Sequence, residues 1–299
     1  MGPRVAIIRD GAGDAILNVT TMSVYDLHAH TIHSDGTLTP AELVARARVN
    51  GVGTLALTDH DVTDGLAQAH AAAVAAGVRL VSGVEISVTW QRQTVHIVGL
   101  DIDSSNAALQ QGLSRLREFR WWRAREIGGR LQKKNIGDAF AHARALARGP
   151  VVSRTHFARF LVAHGHVSTM AQAFKYYLGR GCVAHVPGQW APLDAAVGWI
   201  RGAGGVAVIA HPGRYRLTSG KLRRLLDEFR ECGGAALEVT TGSQAASETE
   251  QLSRLALSYG LMASTGSDYH GPEKPWADLG KLPALAPELT PVWSAFGAN

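Results

Sequence analysis

Two patterns take turns along most of this chain: short apolar runs, and stretches whose apolar residues recur every three or four positions. Runs of the first kind, among them VGTLAL, VRLVSGVEIS, VHIVGLDI, GVAVIAH, ALEVTTG and LMASTG, have strand length and are apolar on successive residues, as buried strands are. Stretches of the second kind carry helix start and stop signals. In TLTPAELVARARVNG, Thr39 can cap, Pro40 suits the first helical position, Glu42 completes a capping box, and Asn50-Gly51 ends the helix. GLAQAHAAAVAAG stops at Gly77, and KLRRLLDEFRECGG puts Leu222, Leu225, Leu226 and Phe229 on one face. SETEQLSRLALSYG offers a second capping box at Ser247 and Glu250 and ends at Gly260. WQRQ at 90–93 reads as a turn between strands, and GAGG at 202–205 as a helix-to-strand turn without the spacing of a dinucleotide or phosphate-binding loop. With YDLHAH at 25–30 there are about seven β-segments, mostly followed by helices, and no internal repeat. The alternation predicts an α/β fold whose parallel sheet closes into a distorted (β/α)7 barrel.

The pattern breaks once. After Asp103 an Arg- and Trp-rich helical stretch begins, and 105–192 is expected to form a small, mostly helical inserted subdomain. Residues 23–104 and 193–299 then make the barrel, and 1–22 an N-terminal extension. Composition supports a fully buried core: of 299 residues 46% are hydrophobic and 18% charged. Cys182 and Cys232 lack metal-finger or redox spacing and read as free thiols of a reducing compartment. Arg9, Asp10 and Asp14 interrupt any signal-like run, and no segment approaches the ~18 apolar residues that span a bilayer. The expectation is a cytoplasmic protein with no membrane association and no obligate protein partner. Net charge is +5, and between Arg115 and Arg159 twelve Lys/Arg face three acidic residues, which favours an anionic partner.

Candidate chemistry gathers at strand ends. His28 and His30, two apart on a strand, share a face and can chelate one metal, with His33 and Asp35 in the turn that follows. His60, Glu85, His96, His211, Asp268 and His270 occupy or follow later strands, whereas His70, His142, His164, His166 and His185 lack that context. Six imidazoles (His28, His30, His60, His96, His211, His270) and three carboxylates (Asp35, Glu85, Asp268) exceed what one ion takes, so two or three are implied. Such a centre polarises phosphoryl oxygens and supplies hydroxide near neutral pH, which is hydrolase chemistry.

HAH followed by SDG, then TDHD, GVEIS, VHIVGL, AHPGR and GSDYH, in this order from Tyr25 to His270, resemble the polymerase and histidinol phosphatase (PHP) family of the amidohydrolase superfamily. SRTHFARFLV, KYYL and QWAPLDAAVGWI are similar to segments of its 3',5'-nucleotide bisphosphate phosphatases and 5'-to-3' exoribonucleases. The resemblance implies one metal on His28, His30, Glu85 and Asp268, a second on Glu85, His96 and His211, and a third on Asp35, His60 and His270, with manganese expected and zinc or iron as alternatives. Hydroxide held through Glu85, His211, Asp268, His28 and His30 would then be the nucleophile, with no Ser or Cys required. Arg154, Lys175, Arg214, Ser153 and His156 are the candidates for holding a second phosphate, Asp59 and Asp61 for orienting His60, and Trp190 or Tyr215 for stacking a base. The expected activity is release of the 3'-phosphate from nucleoside 3',5'-bisphosphates, or trimming of short RNA from its 5' end by the same chemistry. Hydrolysis of C–N bonds, and nucleotide binding without turnover, are the competing classes.

Overall fold

The computed structural model describes residues 24–242, 244–273 and 277–297, so the N-terminal extension lies outside the described residues. Seven strands lie in chain order in one sheet: β1 (Val24–Asp26), β2 (Val52–Leu57), β3 (Arg79–Trp90), β4 (Gln93–Leu100), β5 (Val206–Ile209), β6 (Ala236–Thr241) and β7 (Met262–Gly266). The two edges meet. Leu27 N–H donates to the Thr265 carbonyl, Asp268 N–H to that of His28 and His30 N–H to that of Tyr269, each at 2.9 Å, which closes the sheet into a barrel.

Pairing is parallel from β1 to β3 and from β5 to β7, but β4 runs antiparallel to both neighbours, so the sheet is mixed rather than wholly parallel. The cause is local. Gln91 (φ 45°) and Arg92 (φ 63°) both take the left-handed conformation that a two-residue hairpin turn requires, and Trp90 pairs with Gln93.

Strand alternation sorts the core into layers. Ala56, Val81, Val98, Val208 and Ala236 belong to one cluster inside the barrel. On the opposite face Leu55 and Leu57 pack against α1 (Pro40–Val49) and α2 (Leu66–Ala76). Ile97, Ile209, Leu237 and Ala263 share a cluster with residues of α7 (Leu193–Gly202), α8 (Ser219–Glu231) and α9 (Ala246–Tyr259). The Thr39–Glu42 capping box forms, α2 and α9 end on left-handed Gly77 and Gly260, and the four apolar residues of α8 are buried. The box expected at Ser247 and Glu250 does not form, because α9 already starts at Ala246. There the Gln244 amide, bonded to the Val239 carbonyl (2.7 Å) and Thr249 Oγ1 (2.8 Å), holds the leading turn.

Between β4 and α7 lie α3 (Ala107–Gln132), α4 (Ala139–Leu146), α5 (Arg154–Ala163) and α6 (Met170–Ala173), the last running into a π-turn at Phe174–Leu178. Leu109, Leu113 and Leu116 of α3 join the barrel-side cluster, whereas Ile127 and Leu131 join Phe157, Phe160 and Leu161 in a separate one. One long helix thus ties the inserted helices to the barrel. Among the described residues no helix is long and apolar enough to cross a membrane.

Candidate metal-centred active site

The alternation that fills the barrel with apolar side chains carries its acids and imidazoles to the mouth. Two residues beyond Ala236 on the same face stands Glu238, two before Val98 stands His96, and four beyond each of Ala56 and Val81 stand His60 and Glu85. Glu85 and His96 lie within β3 and β4 rather than at strand ends, since the hairpin runs on past the rim; His60, beyond the end of β2, bridges to Glu85 at rim level. His28 and His30 follow β1, His211 follows β5, and Asp268 and His270 follow β7. His211 (φ 28°) and Asp268 (φ 51°) occupy strained left-handed backbone. Hydrogen bonds hold both: His211 N–H donates to Glu238 (2.6 Å) and Asp268 N–H to the His28 carbonyl (2.9 Å).

All nine candidate ligands converge, and Glu85 is the hub. Its Oε2 lies 3.3 Å from Nε2 of His28 and of His30 and 2.8 Å from His60 Nδ1, and its Oε1 lies 2.7 Å from His96 Nδ1 and 2.9 Å from His211 Nε2. Asp268 Oδ1 is 3.4 Å from His28 and 3.0 Å from His30, and Asp35 Oδ1 is 3.2 Å from His270 and 3.8 Å from His60. Three groups bring their donor atoms within 4.8 Å of one another: His30, Asp35, His60 and His270; His28, Glu85, His211 and Asp268; and His60, Glu85 and His96. His30 thereby stands beside the Asp35 group as well as beside Glu85 and Asp268, and His60 touches two groups. His33, half-buried, belongs to none of them.

The donor set fits divalent cations. His28 Nε2, Asp35 Oδ1, His60 Nδ1, Glu85 Oε2 and His211 Nδ1 are buried without a hydrogen bond, an arrangement whose desolvation a cation would offset. Outer partners aim the rings. His28 Nδ1 faces the Glu238 carboxylate (3.1 Å) and His270 Nδ1 the Asp268 carbonyl (2.9 Å); both partners only accept, so each Nδ1 carries the hydrogen and each Nε2 faces the centre. Burial alone would raise the carboxyl pKa values, but His60, His96 and His28 hold Glu85 well below the usual range, Arg214, His270 and His28 do so for Asp268, and His270 and His60 for Asp35. Burial lowers the pKa of His28 and His30, yet the surrounding carboxylates raise the first well above its ordinary value and the second to about 10. His60 and His211 are pushed down, by burial first. A divalent cation would therefore have to displace protons from His28 and His30, while Glu85, Asp268 and Asp35 stay ionised in the neutral range.

Above this centre opens a cavity of about 720 Å³, lined on the insertion side by Arg120, Arg123, Arg154, Arg159, Phe174 and Trp190. Arg120 and Arg123 stack on Trp190 at 5.0 and 5.3 Å, and Arg154 lies over Phe174. Arg214 lines the cavity and pairs with Asp268. Ser153 and Thr155 donate to Asp35 Oδ2 at 3.0 and 2.8 Å, which orients that carboxylate. His156 is buried as the capping partner of Ser153, accepting its N–H at Nδ1 (3.0 Å). Lys175 is exposed, its ammonium 5.2 Å over the Tyr176 ring, and does not line the cavity. Tyr215 is drawn beneath the site by bonds to His96 N–H (2.8 Å) and the Ala210 carbonyl (2.7 Å). Neither aspartate flanking His60 bonds its ring: Asp59 accepts from Thr31 and Ser34, and Asp61 from Arg120 (2.6 Å) and Ser87 N–H (2.8 Å).

Sequence reasoning missed Glu238, Arg120 and Arg123. A signal for each exists. Glu238 shares the inward phase of Ala236, and the two arginines continue the buried stripe Leu109, Leu113, Leu116 of α3 at helical spacing.

A family model described as the PHP domain matches residues 26–242. The chain is 46% identical to a 3',5'-nucleoside bisphosphate phosphatase of Chromobacterium violaceum over 93% of this chain and 98% of that protein. It is likewise 46% identical to the 5'-3' exoribonuclease Rnm of Escherichia coli, over 90% and 92%. A solved amidohydrolase structure from Chromobacterium violaceum, with bound sulfate and no metal, superposes with a TM-score of 0.88 at 46% identity, covering 91% of this chain and 95% of that one. A putative metal-dependent phosphoesterase of Bifidobacterium adolescentis gives a TM-score of 0.78 at 28% identity, covering 93% and 98%.

Proposed function

The chain belongs to the PHP domain family, and we propose that it is a metal-dependent phosphoesterase that removes the 3'-phosphate from nucleoside 3',5'-bisphosphates, leaving the 5'-monophosphate. The observation that carries this reading is the juxtaposition of a nine-donor centre with a cavity whose far wall presents Arg120, Arg123 and Arg154. A substrate with two phosphates meets both ends of that arrangement. Relatives at 46% identity named as bisphosphate phosphatase and exoribonuclease support the same chemistry.

In this reading Glu85 would serve two ions, with His28, His30 and Asp268 gathered at its Oε2 and His96 and His211 at its Oε1. Asp35, His60 and His270 would hold a remaining ion. Two or three divalent ions, manganese first among the candidates, would polarise the phosphoryl group and make hydroxide available near neutral pH. Arg214, beside Asp268, neutralises charge on the scissile phosphate, and the guanidinium cluster of the insertion supplies the positive charge that holds the 5'-phosphate. Trp190 and Phe174 back those guanidiniums with apolar, water-excluding surface, which strengthens their hold on an anion. C–N hydrolysis is disfavoured because five arginines around the cavity suit phosphate rather than a neutral amide.

Manganese-supplemented protein given adenosine 3',5'-bisphosphate should release inorganic phosphate and accumulate the 5'-monophosphate. Absence of release above a chelator-treated control removes this substrate class. The exoribonuclease reading predicts a ladder of mononucleotide products from 5'-phosphorylated oligoribonucleotides.

A further inference from the structure

A second cavity, of about 460 Å³, adjoins the arginine-walled one at the Arg214–Asp268 pair, the two residues that line both. Its lining includes His211, Arg214, Arg216, Thr241, Glu248 and Asp268, so it shares two ligand candidates with the metal centre and shares Arg214 and Asp268 with the first cavity. We infer that it is the subsite for the nucleotide on the 3' side of the scissile phosphate of a short RNA. This rests on the phosphoesterase reading and deepens it.

Substrate polarity carries the argument. With the 5'-phosphate against the insertion arginines and the scissile phosphorus over the nine donors, the first cavity holds the nucleoside that leaves through its O3'. A bisphosphate ends there, with bare oxygens on the phosphorus. An RNA continues from that phosphorus through O5' of the next nucleotide, which needs room beyond the first cavity. The second cavity supplies it, at a volume within the range of small-ligand sites. The loop after β5 equips it. His211, Arg214 and Arg216 come from one short segment, and Tyr215 and Leu217 pack into the core on either side of Arg216, which leaves that guanidinium exposed at the cavity. Arg216 is held in left-handed backbone (φ 49°), fixing where its side chain departs. Across from it, the Glu248 carboxylate approaches so close to Gly213 that a Cβ there would collide with it. That acceptor suits ribose hydroxyls, while Arg216 suits the following phosphate.

In turnover a water oxygen joins the phosphorus, the P–O3' bond breaks and the water's proton ends on O3'. The products are a 5'-mononucleotide with a free 3'-hydroxyl and an RNA shorter by one residue that again begins with a 5'-phosphate.

The test compares kcat/KM for 5'-phosphorylated triadenylate, the shortest substrate that carries the following phosphate, and for adenosine 3',5'-bisphosphate in manganese-loaded wild type, Arg216→Gln and Arg216→Glu. The ratio of trinucleotide to bisphosphate should fall at least about fivefold in Arg216→Gln and further in Arg216→Glu. A smaller fall than about fivefold in both variants overturns the inference, as does wild type that hydrolyses the bisphosphate but not the trinucleotide. If neither substrate is turned over, the phosphoesterase reading itself fails and this one falls with it.

Discussion

Glu85 sits where both rows of imidazoles meet, with no exposure to solvent, and its two oxygens serve opposite sides of the centre. Glu85→Gln keeps the volume and removes the bridging charge. It should lower bound metal by at least one ion per chain and phosphate release by ~10³-fold or more, read by elemental analysis and a phosphate assay on the same preparation. His156 tests a different kind of residue. Burial, with Arg159 and Arg120 nearby, holds its pKa at about 4 against an ordinary 6.5, and its unprotonated Nδ1 accepts the Ser153 N–H. Because the folded value is the lower one, the unfolded chain binds more protons between those limits, and stability falls as pH drops from about 6.5 to about 4. Glutamine at this position of a capping box accepts the same bond without titrating. Across that window wild type should therefore lose up to ~3 kcal/mol more than His156→Gln, measured by urea unfolding. Parallel loss in both proteins would remove His156 as the cause. The convergence of the nine ligand candidates was legible because each lies within a strand run or in the short segment that follows one. Arg123 was not, since a basic run signals a solvated face until the packing of α3 is known, and here that arginine donates to the buried Val186 carbonyl at 3.0 and 2.9 Å.

At the scale of elements, α3 does two jobs with one stripe. Its first half packs on the barrel and its second half on the inserted helices, while Arg120, between them, reaches Asp61 beside the ligand candidate His60 and Ser87 on β3. The crossing over α7 depends on Gly112, where a Cβ would stand 2.6 Å from the Trp199 ring. Gly112→Ala should cost about 1–3 kcal/mol through this overpacking, despite alanine's better helix propensity, and lower the midpoint of thermal unfolding. An unchanged or raised midpoint would mean that Trp199 swings aside freely. Helix limits at Pro40, Gly77 and Gly260 could be read because their caps are local chemistry. The reversal of β4 was half legible. WQRQ announced a turn, but a hairpin inside a strand-helix alternation shows itself only through the left-handed Gln91 and Arg92. The false capping box at Ser247 failed for a related reason: a side chain upstream, Gln244, had already set the first turn.

At the scale of the whole molecule, barrel closure and site assembly are the same event. Hydrogen bonds that join the chain after β1 to that after β7 also seat His28, His30 and Asp268 beside one another. Residues up to 242 apart in sequence, His28 and His270, thus share one centre, and Asp26 braces the closure from below by accepting Ser267 N–H and Gly280 N–H, each at 2.9 Å or less. The inserted helices line the cavity above the ligand candidates with Arg120, Arg123, Arg154 and Arg159, so under the proposed function the second phosphate and the metal ions would be held by different parts of the fold. The central claim is that the barrel mouth is a multinuclear metal centre. Its most direct measurement is the divalent-ion content of manganese-loaded, gel-filtered protein by inductively coupled plasma mass spectrometry. Two to three ions per chain in wild type, falling in Glu85→Gln, is the predicted result, and one ion or fewer in saturated wild type would contradict it.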